Sequence, residues 1–195
     1  MKVLYRYLIY SLFALIAIPA AGQQKQGYIA SLGRPNHWVD SVYRKLSKKE
    51  RIAQLFFVRA HTDKGQAYED SVGYVIKNEQ VGGLVFFQGG PVRQAGLINR
   101  YQKLAKVPLL IAQDGEWGLG MRLDSTISYP YQMTLGAISD NALIYKMGQF
   151  VAYDFKRMGM QMNLAPDMDV NNNPDNPVIN FRSFGDNKYN VAAKG

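Results

Sequence analysis

Two polar loops carry the residues whose types and spacing could do chemistry. The first reads Gln113-Asp114-Gly115-Glu116-Trp117-Gly118-Leu119-Gly120-Met121-Arg122. A carboxylate such as Asp114 can accept hydrogen bonds from two vicinal sugar hydroxyls. An arginine eight residues on, Arg122, can donate to a third hydroxyl or orient the carboxylate. Hydrogen bonds to charged groups are worth about 1.5–3 kcal/mol each. The glycines let backbone approach a ligand closely. Trp117 has two readings, stacking on a ring face or packing beneath the loop. Asp114 and Arg122 also have a second one, an internal ion pair that holds the loop, and spacing leaves both open. The second lies in the stretch from Asn163 to Gly185, which opens on the end of an apolar run and continues as a loop. It carries Asp167 and Asp169, then an Asn- and Pro-dense run that forbids helix or ladder, then Arg182 flanked by Phe181 and Phe184.

Other patterns do not complete themselves. Asp167-x-Asp169-x-Asn171-x-Asn173 starts like a calcium loop, but Asn172 stands where Gly is needed and Val178 where a chelating Glu belongs. Gly118-Leu119-Gly120 has Leu123 where a dinucleotide fingerprint needs its third glycine. His37 and His61 have no metal-ligand or triad companions at readable spacing, and no G-x-S-x-G is present. No metal and no cofactor are therefore expected.

The elements that must position these loops alternate. Ser47-Lys48-Lys49-Glu50 is a capping box opening a helix with Ile52, Leu55 and Phe56. Strands are expected at 56–58, 81–87, 107–112 and 160–166, with Arg59 to Thr62 a loop. Helices are expected at 71–79, 92–105 and 140–158, the last with Asp140 as N-cap and Gly159 just past its end. A long loop fills 113–133. Near-continuous apolar strands in βαβαβαβ order predict an α/β fold with a parallel sheet. The pattern alone leaves a doubly wound sheet and half of a (β/α)₈ barrel both open, since four strands are half of what closure requires.

The first 22 residues read separately. Lys2 and Arg6 precede an apolar run from Leu8 to Ile18, then Pro19-Ala20-Ala21-Gly22, which is the pattern of a secretory signal peptide. The run is about half of what a spanning helix needs, so no stable membrane span is expected after its removal. The chain is read as exported, periplasmic or extracellular in a bacterium. Residues 23–37 read as a linker or arm, and 38–195 as one domain. The 195 residues carry a formal charge of +8, or +6 without Lys2 and Arg6, and no cysteine. The basic residues are scattered rather than striped among aromatics, which argues against nucleic acid.

Asn173-Pro174-Asp175-Asn176-Pro177-Val178-Ile179 followed by Arg182-Ser183-Phe184-Gly185-Asp186 resembles the signature of the glycoside hydrolase family 3 N-terminal domain, β-N-acetylhexosaminidase branch. Gly82-Gly83-Leu84 and the Asp114 to Arg122 loop resemble the branch too, with Trp117 where Gly is usual. The resemblance implies a TIM-type barrel and retaining hydrolysis of terminal β-linked N-acetylglucosamine, with a carbohydrate as the partner. It implies substrate-binding roles for Asp114, Arg122 and Arg182, and a weaker role for Asp169. The family's K-H-F-P-G-H-G-type motif and its nucleophilic Asp do not occur before Gly195. The expectation is an N-terminal half-barrel with no catalytic residue of its own. The other readings are a non-catalytic carbohydrate-binding protein and β-glucosidase specificity on the same fold.

Overall fold

The computed structural model describes residues 33–195. The signal peptide and most of the 23–37 arm lie outside them. The chain divides into two compact units at Ser41–Val42, within helix α1 (His37–Lys45). In the first unit Asn36 Oδ1 accepts from the amides of Trp38 and Val39, which starts the helix. The rest is the second unit.

There α2 (Lys48–Ala53) opens on the expected capping box, with Glu50 N–H on Ser47 Oγ and Ser47 N–H on Glu50 Oε2. Then come β1 (Phe57–Ala60), α3 (Gln66–Glu79), β2 (Gly83–Phe86), α4 (Pro91–Leu104) and β3 (Leu110–Gln113). A 3-10 turn (Leu119–Met121) and α5 (Gln132–Gly136) interrupt the next connection, before α6 (Asn141–Arg157) and β4 (Met162–Asn163). A second 3-10 turn (Asn180–Arg182) precedes α7 (Lys188–Lys194). The strands form one parallel sheet in the order β1-β2-β3-β4. Phe57 pairs with Gly83, Gly83 with Leu110, and Ala112 with Met162.

The sheet topology decides between the two architectures. Register places Leu84, Phe86 and Ile111 on one face, and all three are fully buried. They share one core with Ile76 of α3, Leu97, Ile98 and Tyr101 of α4, and Val151 and Phe155 of α6. All three crossover helices thus cover the same face, and strand order never reverses. A doubly wound sheet has helices on both faces and a reversal point; consecutive right-handed βα units wound one way are the barrel pattern. The opposite face, carrying Phe57, Leu110 and Met162, is partly open among the described residues.

Several boundaries differ from the sequence reading. β1 includes Arg59 and Ala60, because cross-strand pairing with Val85 and Phe86 holds a stretch whose polarity suggested a loop. α3 begins five residues earlier than expected, on Gly65. β4 is only two residues long, although Gln161 N–H on Ile111 O and Leu164 N–H on Gln113 O extend the pairing at either end. Pro166 has no N–H to carry the ladder further. Asp140 caps α6 through Ala142 N–H, and Gly159 ends it at φ 74°, both as read from sequence.

Candidate functional site

Strand C-termini in such folds point toward the rim where ligands bind, and both polar loops leave from there. Asp114 is the first residue past β3. Its Oδ2 accepts from Arg122 Nη2, at the end of the first 3-10 turn. The Arg122 guanidinium also lies 4.7 Å above the ring of Phe87, the residue after β2. Gly120 is required here, because a Cβ would meet Ser128 Oγ at 2.1 Å. Asp124 N–H on Gly89 O, at 2.9 Å, ties the loop to the one after β2. From β4, Asn163 Oδ1 accepts from Gly115 N–H at 2.9 Å, so the base of the loop is fixed from two strands.

Arg182 ends the second 3-10 turn and reaches back to the β3 loop. Its Nε donates to both Glu116 oxygens at 3.1 Å, and Nη2 donates to Glu116 Oε1 at 2.6 Å. Asp167 Oδ2 lies 3.4 Å from Nη2, and Nη1 reaches Val178 O at 3.3 Å. The Glu116 and Asp167 side chains are 4% and 6% exposed, while that of Arg182 keeps 31%. The hydrogen bond to Glu116 is the main reason the guanidinium is held above its ordinary pKa. Burial opposes it, and the fields of Glu116, Asp167 and Asp114 add to it. Asp114 and Glu116 stand two residues apart in the loop after β3, so the partners of Arg122 and Arg182 are carried by the same short segment. Two carboxylate–arginine couples, Asp114–Arg122 and Glu116–Arg182, stand side by side on the rim.

The structure therefore brings together all three residues singled out from sequence. It also shows the internal Asp114–Arg122 ion pair that spacing left as an alternative. In that pair Asp114 Oδ2 is taken, and Oδ1 makes no hydrogen bond among the described residues, so holding the loop and accepting from a ligand are compatible. Asp169 acts differently. Its N–H donates to Asp167 Oδ1 and its carbonyl accepts from Ser183 Oγ, so its backbone shapes the loop. Sequence reasoning gave Glu116 no role and favoured Asp169 over Asp167, whereas the side chain facing Arg182 is that of Asp167. The missed signal was charge balance: a partly buried arginine between apolar neighbours is stabilised by anions within reach, and Glu116 stands in the loop already marked. His61, for which spacing offered no metal-ligand or triad companion, is buried just past β1, stacked 5.5 Å from the Phe87 ring.

Residues 47–195 match the model of the glycosyl hydrolase family 3 N terminal domain. The chain belongs to this family. Among relatives of family 3, a β-N-acetylglucosaminidase/β-glucosidase of Cellulomonas fimi is 25% identical over 158 residues, covering 81% of this chain and 27% of that protein. A β-hexosaminidase A of Pseudoalteromonas piscicida is 30% identical over 134 residues, 62% of this chain and 22% of its own. The solved family 3 β-N-acetylglucosaminidase of a Paenibacillus species superposes with a TM-score of 0.69 at 34% identity, over 77% of this chain and 30% of that one. The chain spans about a quarter of the length of the curated relatives it matches. Among the described residues no helix is long and apolar enough to cross a membrane.

Proposed function

We propose that the full product of this gene is a retaining β-N-acetylglucosaminidase, and that Asp114, Arg122 and Arg182 grip the terminal, non-reducing sugar. The observation carrying this reading is the paired couple on the rim, in which anion and cation are held at fixed positions before any ligand arrives. Asp114 offers Oδ1 to sugar hydroxyls, Arg122 fixes the carboxylate, and the exposed edge of Arg182 donates to another oxygen. Retaining hydrolysis needs a nucleophilic carboxylate and a proton donor facing one anomeric carbon. Glu116 and Asp167 are buried against Arg182, and Asp114 is bound to Arg122. The family 3 resemblance implies a nucleophile and an acid/base in motifs that do not occur before Gly195, and we assign both to residues outside Met1–Gly195, on a barrel that those residues complete. The relatives' greater length and the family 3 match support this.

The test is turnover of an aryl N-acetyl-β-glucosaminide by the full gene product, against an aryl β-glucoside. Loss of one charged hydrogen bond, about 1.5–3 kcal/mol, should lower kcat/KM about 10- to 150-fold in Asp114→Asn and in Arg182→Met. Unchanged turnover in both variants refutes the grip. Turnover by Met1–Gly195 alone refutes the placement of the nucleophile. The name of the Cellulomonas relative covers both activities, so β-glucosidase specificity is the second reading, and equal or faster glucoside hydrolysis would select it. We also propose export through the N-terminal signal. Mass spectrometry of the mature protein should find a start near Gly22, and an intact Met1 end on a cytoplasmic product overturns export.

A further inference from the structure

A buried imidazole, His61, stands on the same rim outside the two charged couples. Ala60, Phe86 and Gln113, the last residues of β1, β2 and β3, are register partners, and Phe87 N–H on Ala60 O carries the pairing one residue further. His61, Phe87 and Asp114 therefore form one row across the three strand ends. Ala60 and Phe86 belong to the core beneath the helices, so by alternation this row lies on the opposite face of the sheet. The His61 ring is stacked 5.5 Å from Phe87, with 20° between the planes, and the Tyr68 ring of α3 meets it edge-on at 5.7 Å. Phe87 also carries the Arg122 guanidinium at 4.7 Å. One phenyl ring thus serves both the imidazole and the arginine that holds Asp114. From this shared ring we infer that His61 is a positioning residue for the Asp114–Arg122 couple, acting through Phe87 and only while its imidazole is neutral.

Stacking alone does not account for a histidine here. The side chain is 7% exposed, and neither ring nitrogen has a hydrogen-bond partner among the described residues. Asp63 Oδ1 stands 3.4 Å from Nδ1, an ion-pair distance without hydrogen-bond alignment. Phenylalanine would stack as well without leaving two buried polar atoms unpaired, which is costly. What imidazole adds is a proton taken up close to neutral pH. Burial holds its pKa below the ordinary value, Lys64 and Arg59 act in the same sense, and Asp63 opposes them. The neutral ring adds no charge to Phe87. Once protonated it becomes a further cation on a ring that already carries Arg122, with Arg59 5.7 Å from the same centroid. Asp63 then draws the imidazolium away from the stack. The backbone beside it is tied down, since Thr62 O accepts from Arg93 Nε of α4 and Arg93 is balanced by Asp124, so the change falls on the ring. The inference rests on the proposed glycosidase reading: protonating His61 loosens Arg122, and with it the carboxylate offered to the sugar.

The experiment uses the full gene product. It reads the grip as the inhibition constant of free N-acetylglucosamine against aryl N-acetyl-β-glucosaminide turnover, at about pH 7.5 and about pH 5, on either side of the ordinary histidine value. The variants are His61→Phe, which keeps a ring without a titrating proton, and Phe87→Leu, which removes the shared ring. On acidification, sugar binding should weaken about two- to fivefold more in wild type than in His61→Phe, the equivalent of one cation–π contact. The same difference should appear in KM, while the ratio of their kcat values stays constant with pH. Phe87→Leu should bind the sugar more weakly at both pH values, and adding His61→Phe to it should leave its pH response unchanged. Parallel pH responses of wild type and His61→Phe overturn the inference, whatever the variant's melting temperature, because His61 is then structural only. They leave the glycosidase reading intact. A Phe87→Leu variant that binds and responds to pH as wild type does also overturns it. If His61→Phe does not fold, His61→Gln, uncharged at both pH values, takes its place in the same comparison. If wild type neither cleaves the glycoside nor binds the sugar, the glycosidase reading fails and this inference with it.

Discussion

Removing the Glu116 carboxylate tests whether Arg182 is positioned rather than merely present. Glu116 is almost wholly buried and takes both Nε and Nη2 of Arg182. Truncating one partner of a buried pair costs about 3–5 kcal/mol, because the other charge is left uncompensated. Two features of the structure reduce that figure here. Arg182 keeps about a third of its side chain in solvent, and Asp167 stands 3.4 Å from Nη2 as a substitute anion. Glu116→Ala should therefore destabilise by about 3 kcal/mol, at the bottom of that range. Glu116→Gln, which keeps shape and one acceptor but loses the charge, should cost about 1.5 kcal/mol. With a urea slope of about 1–3 kcal/mol per molar, the Ala variant's midpoint moves down by about 1–3 M, and the Gln variant's by roughly half as much. A cycle with Arg182→Met should return a coupling above about 1 kcal/mol. Turnover should fall in the Gln variant by more than its stability loss explains, because the guanidinium no longer has a fixed direction. An Ala variant within about 0.5 kcal/mol of wild type, the size of an ordinary surface change, would refute the reasoning.

Three further outcomes are expected. Ser183 is fully buried, with Oγ 2.6 Å from Asp169 O and 3.1 Å from Gly185 N–H, so Ser183→Ala should lose about 1–3 kcal/mol in urea denaturation; a neutral result would show that water replaces the hydroxyl. Gly136→Ala would put a Cβ 2.0 Å from Phe184 O, a backbone atom that cannot swing away, and should lower stability by about 1–3 kcal/mol or more in a thermal melt. His61 has its pKa lowered, first by burial and then by Lys64, with Arg59 in the same sense and Asp63 opposing. Below the unfolded value near 6.5 the unfolded chain therefore binds the proton more readily, and stability should decline as pH falls from there to the folded midpoint. Wild type should lose more of its urea midpoint between pH 7.5 and 5 than His61→Gln does, and parallel losses would remove His61 from the account.

What the sequence made legible was whatever depends on neighbours along the chain. Capping at Ser47 and Asp140, the left-handed stop at Gly159 and four apolar strands are local events, and each reads from a few residues. The barrel-like winding did not, because the face each helix covers is set by pairing between strands about 25 to 50 residues apart. Arg59 and Ala60 look like loop and become strand for the same reason: β2 supplies the partners. In the site, Asp114 and Arg122 were visible as rim residues because strand β3 ends just before them. Glu116 was not singled out, since its role exists only once a second loop, 66 residues away, delivers Arg182.

The two loops would not need such elaborate joining if their task were only to close a chain. A turn satisfied by Asn side chains, as at Asn173 and Asn176, does that locally. Instead the β4 loop reaches the β3 loop through a bidentate ion pair, a ring cluster and a buried glutamine, Gln132, donating to Asp167 O at 2.8 Å. Each of these fixes direction as well as distance, since guanidinium forks, ring edges and amide donors bond well only at defined angles. A ligand meeting such a surface does not have to spend binding energy aligning the groups that hold it. That is the physical case for a preformed sugar grip on this rim, and it places the demand on Glu116, which never needs to touch the substrate.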